Sequence, residues 1–183
     1  MDQGEQILTA AVKVMDAVGY EAASLRDIAE KAGVALGSIY RYFPEGKRQL
    51  LQAMTERLAE ARAAVDLPSP GKKPAELEAY LAATISFWER NRSLARVLCT
   101  AAVFDDGVAA ALRAGVLKPW LSDLRKVLTD VGCADAVAAA KLVQSQILFN
   151  TVGAPALAER VGAAKLAASL TEIVRPARPS RRA

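Results

Sequence analysis

The chain has 183 residues, of which 52% are apolar and 24% are charged, and its formal net charge is +4. This composition is too apolar for a disordered protein and supplies the core of one or two small domains. The sequence contains no histidine and no CxxC motif, which excludes zinc-finger spacing, and its two cysteines favour a reduced, cytoplasmic setting. We expect no signal peptide and no membrane span, because the N-terminus lacks a basic region and no long stretch is free of charges.

A first helix is predicted over residues 4 to 18, and it has one apolar face at helical spacing. The residues of this face are Ile7, Ala11, Val14, Met15 and Val18. Gly19 follows directly and is expected to end the helix. The apolar face is expected to cover the core of the segment that comes next.

The next segment, Ser24 to Phe43, has the pattern of two short helices joined by a tight turn. Ser24 is a favourable N-cap, and Gly33 takes at little cost the left-handed conformation that ends a helix. Ala29 is small where the second helix must cross, and Ile39 is placed to fill the angle between the two helices. Two short helices connected in this way predict a helix-turn-helix.

The second of these helices leaves a small, aromatic and cationic face directed outward. The face consists of Leu36, Gly37, Ser38, Tyr40, Arg41 and Tyr42, and it can enter the major groove of DNA. The alternative is a helical hairpin inside an ordinary all-α core. Such a hairpin has no need of tyrosine and arginine side chains that face water.

The positive net charge does not by itself indicate nucleic acid, because of where the charges lie. Residues 1 to 63 hold eight lysines and arginines against nine aspartates and glutamates, and the surplus of positive charge lies further along the chain. The prediction of DNA binding therefore rests on the local placement of Arg26, Arg41, Lys47 and Arg48 around the second helix.

After Lys47 every predicted element is a helix. One long helix extends to about residue 65, a loop rich in proline and glycine occupies residues 66 to 74, and alanine-rich helices begin near residues 74, 93, 105, 135 and 155. Ser93, Asp105 with Asp106, and Asp135 are the predicted N-caps of three of these helices. Pro119 is expected to kink or divide one of them, because it lacks a backbone N–H. The basic, proline-rich residues 176–183 are expected to form a disordered tail.

The N-terminal segment resembles the TetR family of transcriptional regulators. The residues that carry the resemblance are Ile7 to Ala11, Gly19 and Tyr20, Leu25 to Gly33, and Gly37 to Phe43 followed by Lys47. The resemblance implies DNA contacts from Ser38, Tyr40 and Tyr42, and a phosphate contact from Lys47 at the start of the fourth helix. Together with their neighbours, the predicted DNA-binding residues are Ser24, Arg26, Leu36, Gly37, Ser38, Tyr40, Arg41, Tyr42 and Lys47.

Two features depart from the usual pattern of the family. Ala35 and Leu36 stand where the family usually has a hydroxyl and a polar residue, so one helix cap and one base contact are missing. The turn Pro44-Glu45-Gly46 is one residue longer than the commonest form, as in the LmrA/YxaF-like subset of the family. We interpret this turn as a variant of the DNA-binding segment.

The resemblance implies an all-α protein with a three-helix, helix-turn-helix DNA-binding domain over residues 1–46 and a helical effector-binding and dimerisation domain over residues 47–175. It implies a ligand-responsive repressor that binds a pseudo-palindromic double-stranded DNA operator as a homodimer, uses no cofactor and is released by a small apolar effector. A ligand-insensitive or architectural DNA-binding protein is the alternative. An all-α enzyme is least favoured, since the sequence lacks histidine, a Gly-rich phosphate loop and a Glu-x-x-His motif.

The effector site is expected in the C-terminal half, where aromatic and polar residues could line a mostly apolar cavity. The candidates are Phe87, Trp88, Cys99, Phe104, Trp120, Gln146, Phe149 and Asn150. For each aromatic residue taken alone, ordinary core packing is the alternative. Gln146 and Asn150 lie four residues apart in an apolar helix, so they predict buried amides that need a partner, either a ligand or a hydrogen bond across a dimer.

The last two helices are the predicted dimer interface. Residues 136 to 152 and 156 to 174 carry small and apolar side chains at helical spacing, and two copies would form a four-helix bundle. The alternative is that these side chains form core within one chain. A two-fold dimer would place its recognition helices about 34 Å apart, or a multiple of that distance, and would read a pseudo-palindrome.

Overall fold

A computed structural model of the chain describes residues 2–67, 74–153 and 160–174, and all regular elements in these ranges are helical. The α-helices are α1 (Gln3–Val18), α2 (Leu25–Ala32), α3 (Leu36–Tyr42), α4 (Lys47–Ala63), α5 (Pro74–Arg90), α6 (Arg92–Ala101), α7 (Asp106–Leu112), α8 (Lys118–Asp130), α9 (Ala136–Leu148) and α10 (Ala163–Val174). Two π-helical turns, Arg113–Leu117 and Phe149–Gly153, follow α7 and α9. The predicted all-α fold class is confirmed.

The packing divides the chain into two compact units. Unit 1 comprises Met1–Ala64 and Asn91–Lys118, and it holds α1 to α4 together with α6, α7 and the first π-helical turn. Unit 2 comprises Val65–Arg90 and Pro119–Ala183, and it holds α5 and the helices that follow the first π-helical turn. This division by packing cuts the chain at other points than the functional boundary expected near Gly46, which stays a prediction.

The core of unit 1 forms where α1 and α4 bury their apolar faces. α1 contacts α2, α4 and α6, and α4 also contacts α6, α7 and the first π-helical turn. Ile7, Ala11 and Met15 are buried as their spacing predicts, but Val18 is 56% exposed because α1 ends there. The side chains that α4 buries are Leu50, Leu51, Met54, Thr55, Leu58 and Arg62.

An ion pair joins α1 to α6 at the edge of this core. Arg96 Nε donates to Asp16 Oδ1 at 2.6 Å. Partial burial raises the pKa of the Asp16 carboxyl, but hydrogen bonds from Arg96 and Ser93 and the charges of Arg96 and Arg92 outweigh it, so that the pKa lies below its ordinary value of 3.8. The ionised carboxylate therefore contributes to holding α6 on the N-terminal helices.

Unit 2 is organised around two tryptophans. α5 contacts α9, α10 and the second π-helical turn. Trp88 on α5 and Trp120 on α8 are both fully buried, their ring centroids lie 4.6 Å apart, and the ring of Phe87 meets Trp88 edge-on at 5.4 Å. Rings of this size contribute a large share of the apolar surface that a small domain buries.

Some helix ends confirm the sequence pattern and others correct it. Asp105 and Asp135 cap α7 and α9, and the chain is divided just before Pro119 by a π-helical turn, as predicted. Ser93 does not cap α6, because its side chain bonds Asp16, and α6 begins at Arg92 without a side-chain cap. Within the described ranges, no helix combines the length and the hydropathy that crossing a bilayer requires.

The predicted last helix is shorter than expected. Residues 160–162 are not helical, and α10 begins at Ala163. The side chain of Asn150 explains this, because it bonds both the N–H and the carbonyl of Val161 and so holds that residue outside a helix. The predicted start at Pro155 and the predicted tail over residues 176–183 lie outside the described residues.

Candidate nucleic-acid interface

The turn that separates α2 from α3 forms as the sequence predicts. At the start of α2, the Ser24 hydroxyl accepts from the Asp27 N–H at 3.1 Å, and an Asp27 carboxylate oxygen accepts from the Ser24 N–H at 3.3 Å. At its end, Gly33 adopts the left-handed conformation with φ 67° and ψ 34°. The Val34 N–H then donates to the carbonyl of Ala29 at 3.0 Å, which closes the helix end. These local bonds fix the angle at which α3 leaves α2.

α3 has a buried side and an outward side. Ile39 is fully buried and Phe43 is nearly so, which anchors the helix on the core of unit 1. On the outward side, Tyr40 is 50% exposed. Ala35 is the N-cap residue of α3 and supplies no side-chain hydrogen bond, as its lack of a hydroxyl predicts. The remaining candidates on this helix are exposed at Gly37 and Arg41 and half-buried at Leu36, Ser38 and Tyr42.

The C-terminal end of α3 is held by the first turn of α1. Arg41 Nη2 donates to Gln3 Oε1 at 2.6 Å, and its guanidinium lies 4.9 Å from the centroid of the Tyr42 ring. A Cβ atom added at Gly4 would lie 3.3 Å from that ring, so glycine is what lets Tyr42 come this close. Arg41 and Tyr42 are thus positioned before any DNA is present. Gln3 and Gly4 were not among the predicted residues, although a glycine inside a helix can indicate that another segment packs closely against the backbone.

Lys47 begins α4, and its ammonium group is bonded within the protein. Its Nζ donates to the carbonyls of Tyr20 at 3.0 Å and Glu21 at 3.2 Å, and it lies 4.7 Å from the centroid of the Tyr20 ring. Lys47 therefore ties the start of α4 to the turn between α1 and α2. Burial, and then the charges of Asp105 and Glu21, raise the pKa of the Tyr20 hydroxyl, so this ring stays neutral beneath the cation.

An open groove of about 610 Å³ lies beside α3, between the start of α2 and the start of α4. Ser24, Tyr40 and Lys47 line it, together with Gly46 and Arg48. Gly46 is the N-cap of α4 with φ 62°, and it offers no side chain to the first N–H groups of that helix. Helix N-termini favour anions such as phosphate. Glu21 and Glu45 also line the groove, so it supplies hydrogen-bond donors and both positive and negative side chains next to the exposed face of α3.

The predicted effector residues are divided between the two units. Cys99 and Phe104 belong to unit 1, and the others belong to unit 2. Phe104 is 68% exposed in the turn between α6 and α7. Cys99 is more buried, and its burial raises the pKa of the thiol. In unit 2, Phe87, Trp88 and Trp120 are fully buried in the core, and Phe149 is 47% exposed.

The two predicted buried amides have different environments. Asn150 is buried, and its amide is satisfied by Val161, whose carbonyl accepts at 2.9 Å and whose N–H donates at 2.8 Å. Gln146 is exposed, so the prediction of a buried amide is wrong at that position. The reason is its place on α9, whose buried face runs through Ala140, Val143 and Ile147, because Gln146 lies about 100° around the helix from Ile147.

Comparisons with known proteins agree with this arrangement. The family model for bacterial regulatory proteins of the tetR family matches residues 7–54. The chain is 29% identical over 153 residues to the HTH-type transcriptional repressor KstR of Rhodococcus jostii, and the aligned region covers 82% of this chain and 72% of that protein. It is also 30% identical over 112 residues to KstR of Mycobacterium tuberculosis, where the aligned region covers 60% of this chain and 51% of that protein.

Three solved structures share the fold. A tetR-family regulatory protein from Rhodococcus RHA1 has a TM-score of 0.73 and 22% identity, with 97% of this chain and 100% of that chain covered. AibR in complex with isovaleryl coenzyme A and operator DNA has a TM-score of 0.72 and 18% identity, with 96% and 99% covered. FadR of Bacillus subtilis in complex with stearoyl-CoA has a TM-score of 0.66 and 22% identity, with 93% and 96% covered. Residues 7–54 therefore match the N-terminal segment of the bacterial regulatory proteins of the tetR family, and the chain shares its fold with solved structures of such regulators.

Proposed function

We propose that the chain is a ligand-responsive repressor that binds a pseudo-palindromic operator as a homodimer. The observation that carries the proposal is the outward face of α3, where Tyr40 is 50% exposed beside a groove that contains the start of α4. The KstR relatives, which are named as transcriptional repressors, support the direction of control. Residues 1–46 would read DNA, residues 47–175 would bind the effector and dimerise, and the protein would act in the cytoplasm, where bacterial DNA lies.

The first test is selection of bound DNA from a random library with the purified protein, followed by titration of variants on the selected site. Tyr40→Ala and Tyr42→Ala should weaken binding while the fold stays intact, since Tyr40 is exposed and Tyr42 lies against the first turn of α1 and its neighbour Arg41 at the end of α3. Phe104→Ala, which removes an exposed ring in the same unit, is the matched control. Enrichment of an inverted repeat would support the proposal, and the absence of any enriched sequence would contradict it.

The role of Lys47 can be separated from its bonds within the protein. If its ammonium exchanges the carbonyls of Tyr20 and Glu21 for a phosphate, Lys47→Ala should lower the slope of log affinity against log salt by about one unit. If Lys47 only positions the turn, affinity and stability should fall together without a change of slope. Lys13→Ala, which removes an exposed lysine of α1, is the control.

The effector is proposed to bind in unit 2, near its two tryptophans. The indole N–H groups of Trp88 and Trp120 are both buried, and neither meets a hydrogen-bond acceptor among the described residues. An apolar ligand that carries an oxygen acceptor would satisfy them. The acyl thioesters bound by AibR and FadR are molecules of this kind, and they supply the probes for a test.

The sequence contains two tryptophans, and both lie in unit 2, so fluorescence that is excited selectively in tryptophan originates in that unit. We expect isovaleryl-CoA or stearoyl-CoA to change the fluorescence and to weaken operator binding, and Trp88→Phe to reduce both effects. Free coenzyme A is the control, because it lacks the acyl chain. A protein that holds its operator equally well in all of these solutions would instead be a ligand-insensitive DNA-binding protein.

The dimer interface is proposed to include the exposed faces of α9 and α10. Val137 and Leu142 on α9 are 45% and 42% exposed, and Ile173 on α10 is 62% exposed. By contrast, Ala140, Val143, Ile147 and Thr151 are buried within the chain, so that part of the predicted face forms intrachain core. Ile173→Glu should give a monomer in light scattering, whereas Val103→Glu, at an exposed position of unit 1, should leave the dimer intact.

A further inference from the structure

A second cleft in unit 1 lies between α4 and α7, and among its lining residues it shares only Arg48 with the groove beside α3. It has a volume of about 460 Å³, which falls within the range of sites for small molecules. One wall is a single face of α4, and the other wall is formed by the start of α7 and the π-helical turn that follows it. The lining residues are Arg48, Gln52, Thr55, Glu56 and Ala59 on α4, and Asp105, Gly107, Val108, Ala111 and Gly115 on the opposite wall.

Small residues create the space in this cleft. Gly107, Ala111 and Gly115 recur every four residues along one wall, and Ala59 faces them from α4. A Cβ atom at Gly115 would lie 3.7 Å from the Cβ of Ala59, so the two walls touch at this end and open toward Asp105. The Thr55 hydroxyl donates to the carbonyl of Leu51 within α4 and offers no donor to an occupant. The inner surface is therefore suited to an apolar body.

The charges at the rim of the cleft are not balanced. Arg48 forms an ion pair with Glu45 on its own side of the helix start. Glu56 accepts a hydrogen bond from Gln52 at 3.0 Å, and Asp105 accepts one from the Val108 N–H at 3.0 Å. Neither of these two carboxylates takes part in an ion pair with a described residue. The rim thus presents negative charge to an occupant.

We propose that this cleft binds a drug-sized apolar organic cation, with its apolar body between Ala59 and Ala111 and its positive charge beside Glu56 and Asp105. An anion would meet the same carboxylates unfavourably, and a neutral molecule would leave them without a partner. The site is additional to the effector site proposed in unit 2. It lies in the unit that carries α3, and α4 contributes residues both to this cleft and to the groove beside α3.

The test uses two probes of the same shape and opposite charge, tetraphenylphosphonium and tetraphenylborate, in calorimetric titrations of the full chain without DNA. We expect the cation to bind and the anion to bind more weakly or not at all. Glu56→Gln should weaken the cation about fivefold, the effect of one partly exposed charge pair. Glu60→Gln, on the exposed surface of the same helix and outside the cleft, should have no effect.

A second pair of variants tests the space and not the charge. Ala111→Phe should fill the cleft and abolish binding of tetraphenylphosphonium, whereas Ala110→Phe, exposed on the same helix and outside the cleft, should not. Equal affinity for the two probes, or unchanged binding by Glu56→Gln or by Ala111→Phe, would overturn the proposal. Because these titrations contain no DNA, their outcome is independent of the repressor function.

Discussion

The short helices of unit 1 and the longer helices of unit 2 are held in place by different interactions. α2 and α3 have 8 and 7 residues, too few to be stable alone, and their positions depend on a capping box, a left-handed glycine and side chains that reach neighbouring helices. α5, α8 and α9 have 17, 13 and 13 residues, and large buried rings join α5 to α8. The placement of α2 and α3 thus depends on a few directional bonds. Unit 2 depends instead on the packing of large buried side chains.

This difference predicts where each unit is vulnerable. In unit 2, the loss of one large ring should leave a cavity that the surrounding helices cannot fill. In unit 1, the positions of α2 and α3 depend in addition on a glycine and a carboxylate that fix the ends of α2. The predictions that follow test these statements, and they run from the largest expected effect to the smallest.

Replacement of Trp120 by alanine should have the largest effect on stability. The ring is fully buried against Trp88, so the substitution removes its apolar surface and opens a cavity, at a cost of about 3–5 kcal/mol in the free energy of unfolding. Urea denaturation followed by circular dichroism measures the change. Phe104→Ala is the control, because that ring is 68% exposed and its loss should cost little. A small effect of Trp120→Ala would mean that unit 2 is not organised by volume.

Replacement of Gly46 should have the next largest effect. Its φ of 62° is unfavourable for any L-residue, and a Cβ atom there would lie 3.1 Å from Leu25 Cδ1. We expect Gly46→Ala to lower the free energy of unfolding by about 1–3 kcal/mol and to shift the start of α4. Gly37→Ala is the matched control, since it lies in α3 with open space around its Cα, and alanine favours a helix. Equal effects of the two substitutions on thermal stability would contradict the role given to Gly46.

The same contrast explains what the sequence could and could not predict. Ser24, Gly33, Asp105 and Asp135 act on residues within three or four positions of themselves, and local patterns were sufficient to assign them. The four-residue spacing of Gln146 and Asn150 was misleading, because Gln146 lies at the edge of the buried face of α9. The spacing alone does not show where the buried face of an apolar helix ends.

Contacts between distant segments were also beyond reach of the sequence. Lys47 bonds Tyr20 and Glu21, and Arg41 bonds Gln3, across separations of 27, 26 and 38 residues. The cleft between α4 and α7 depends on how two helices far apart in the chain are placed. The small residues of the cleft could not be recognised in an alanine-rich sequence, because alanine occurs both where helices pack closely and where they do not.

The smallest expected effect is at the ion pair between Asp16 and Arg96, and it depends on pH. The folded state lowers the pKa of Asp16 below 3.8, so the pair stabilises the protein fully above that value and the contribution is lost as the pH falls through the lowered pKa. Because the Arg96 side chain is 36% exposed, we expect only about 0.5–1 kcal/mol.

Urea denaturation of the wild type and Asp16→Asn at several pH values measures this contribution. The difference between the two proteins should be present at pH 7, should begin to shrink as the pH falls below 3.8, and should be lost only when the pH has fallen through the lowered pKa of the folded protein. Asp123→Asn provides a comparison at an exposed acidic position of unit 2. A difference that stayed constant with pH would show that Asp16 holds α6 by shape and not by charge, and unit 1 would then resemble unit 2 in what stabilises it.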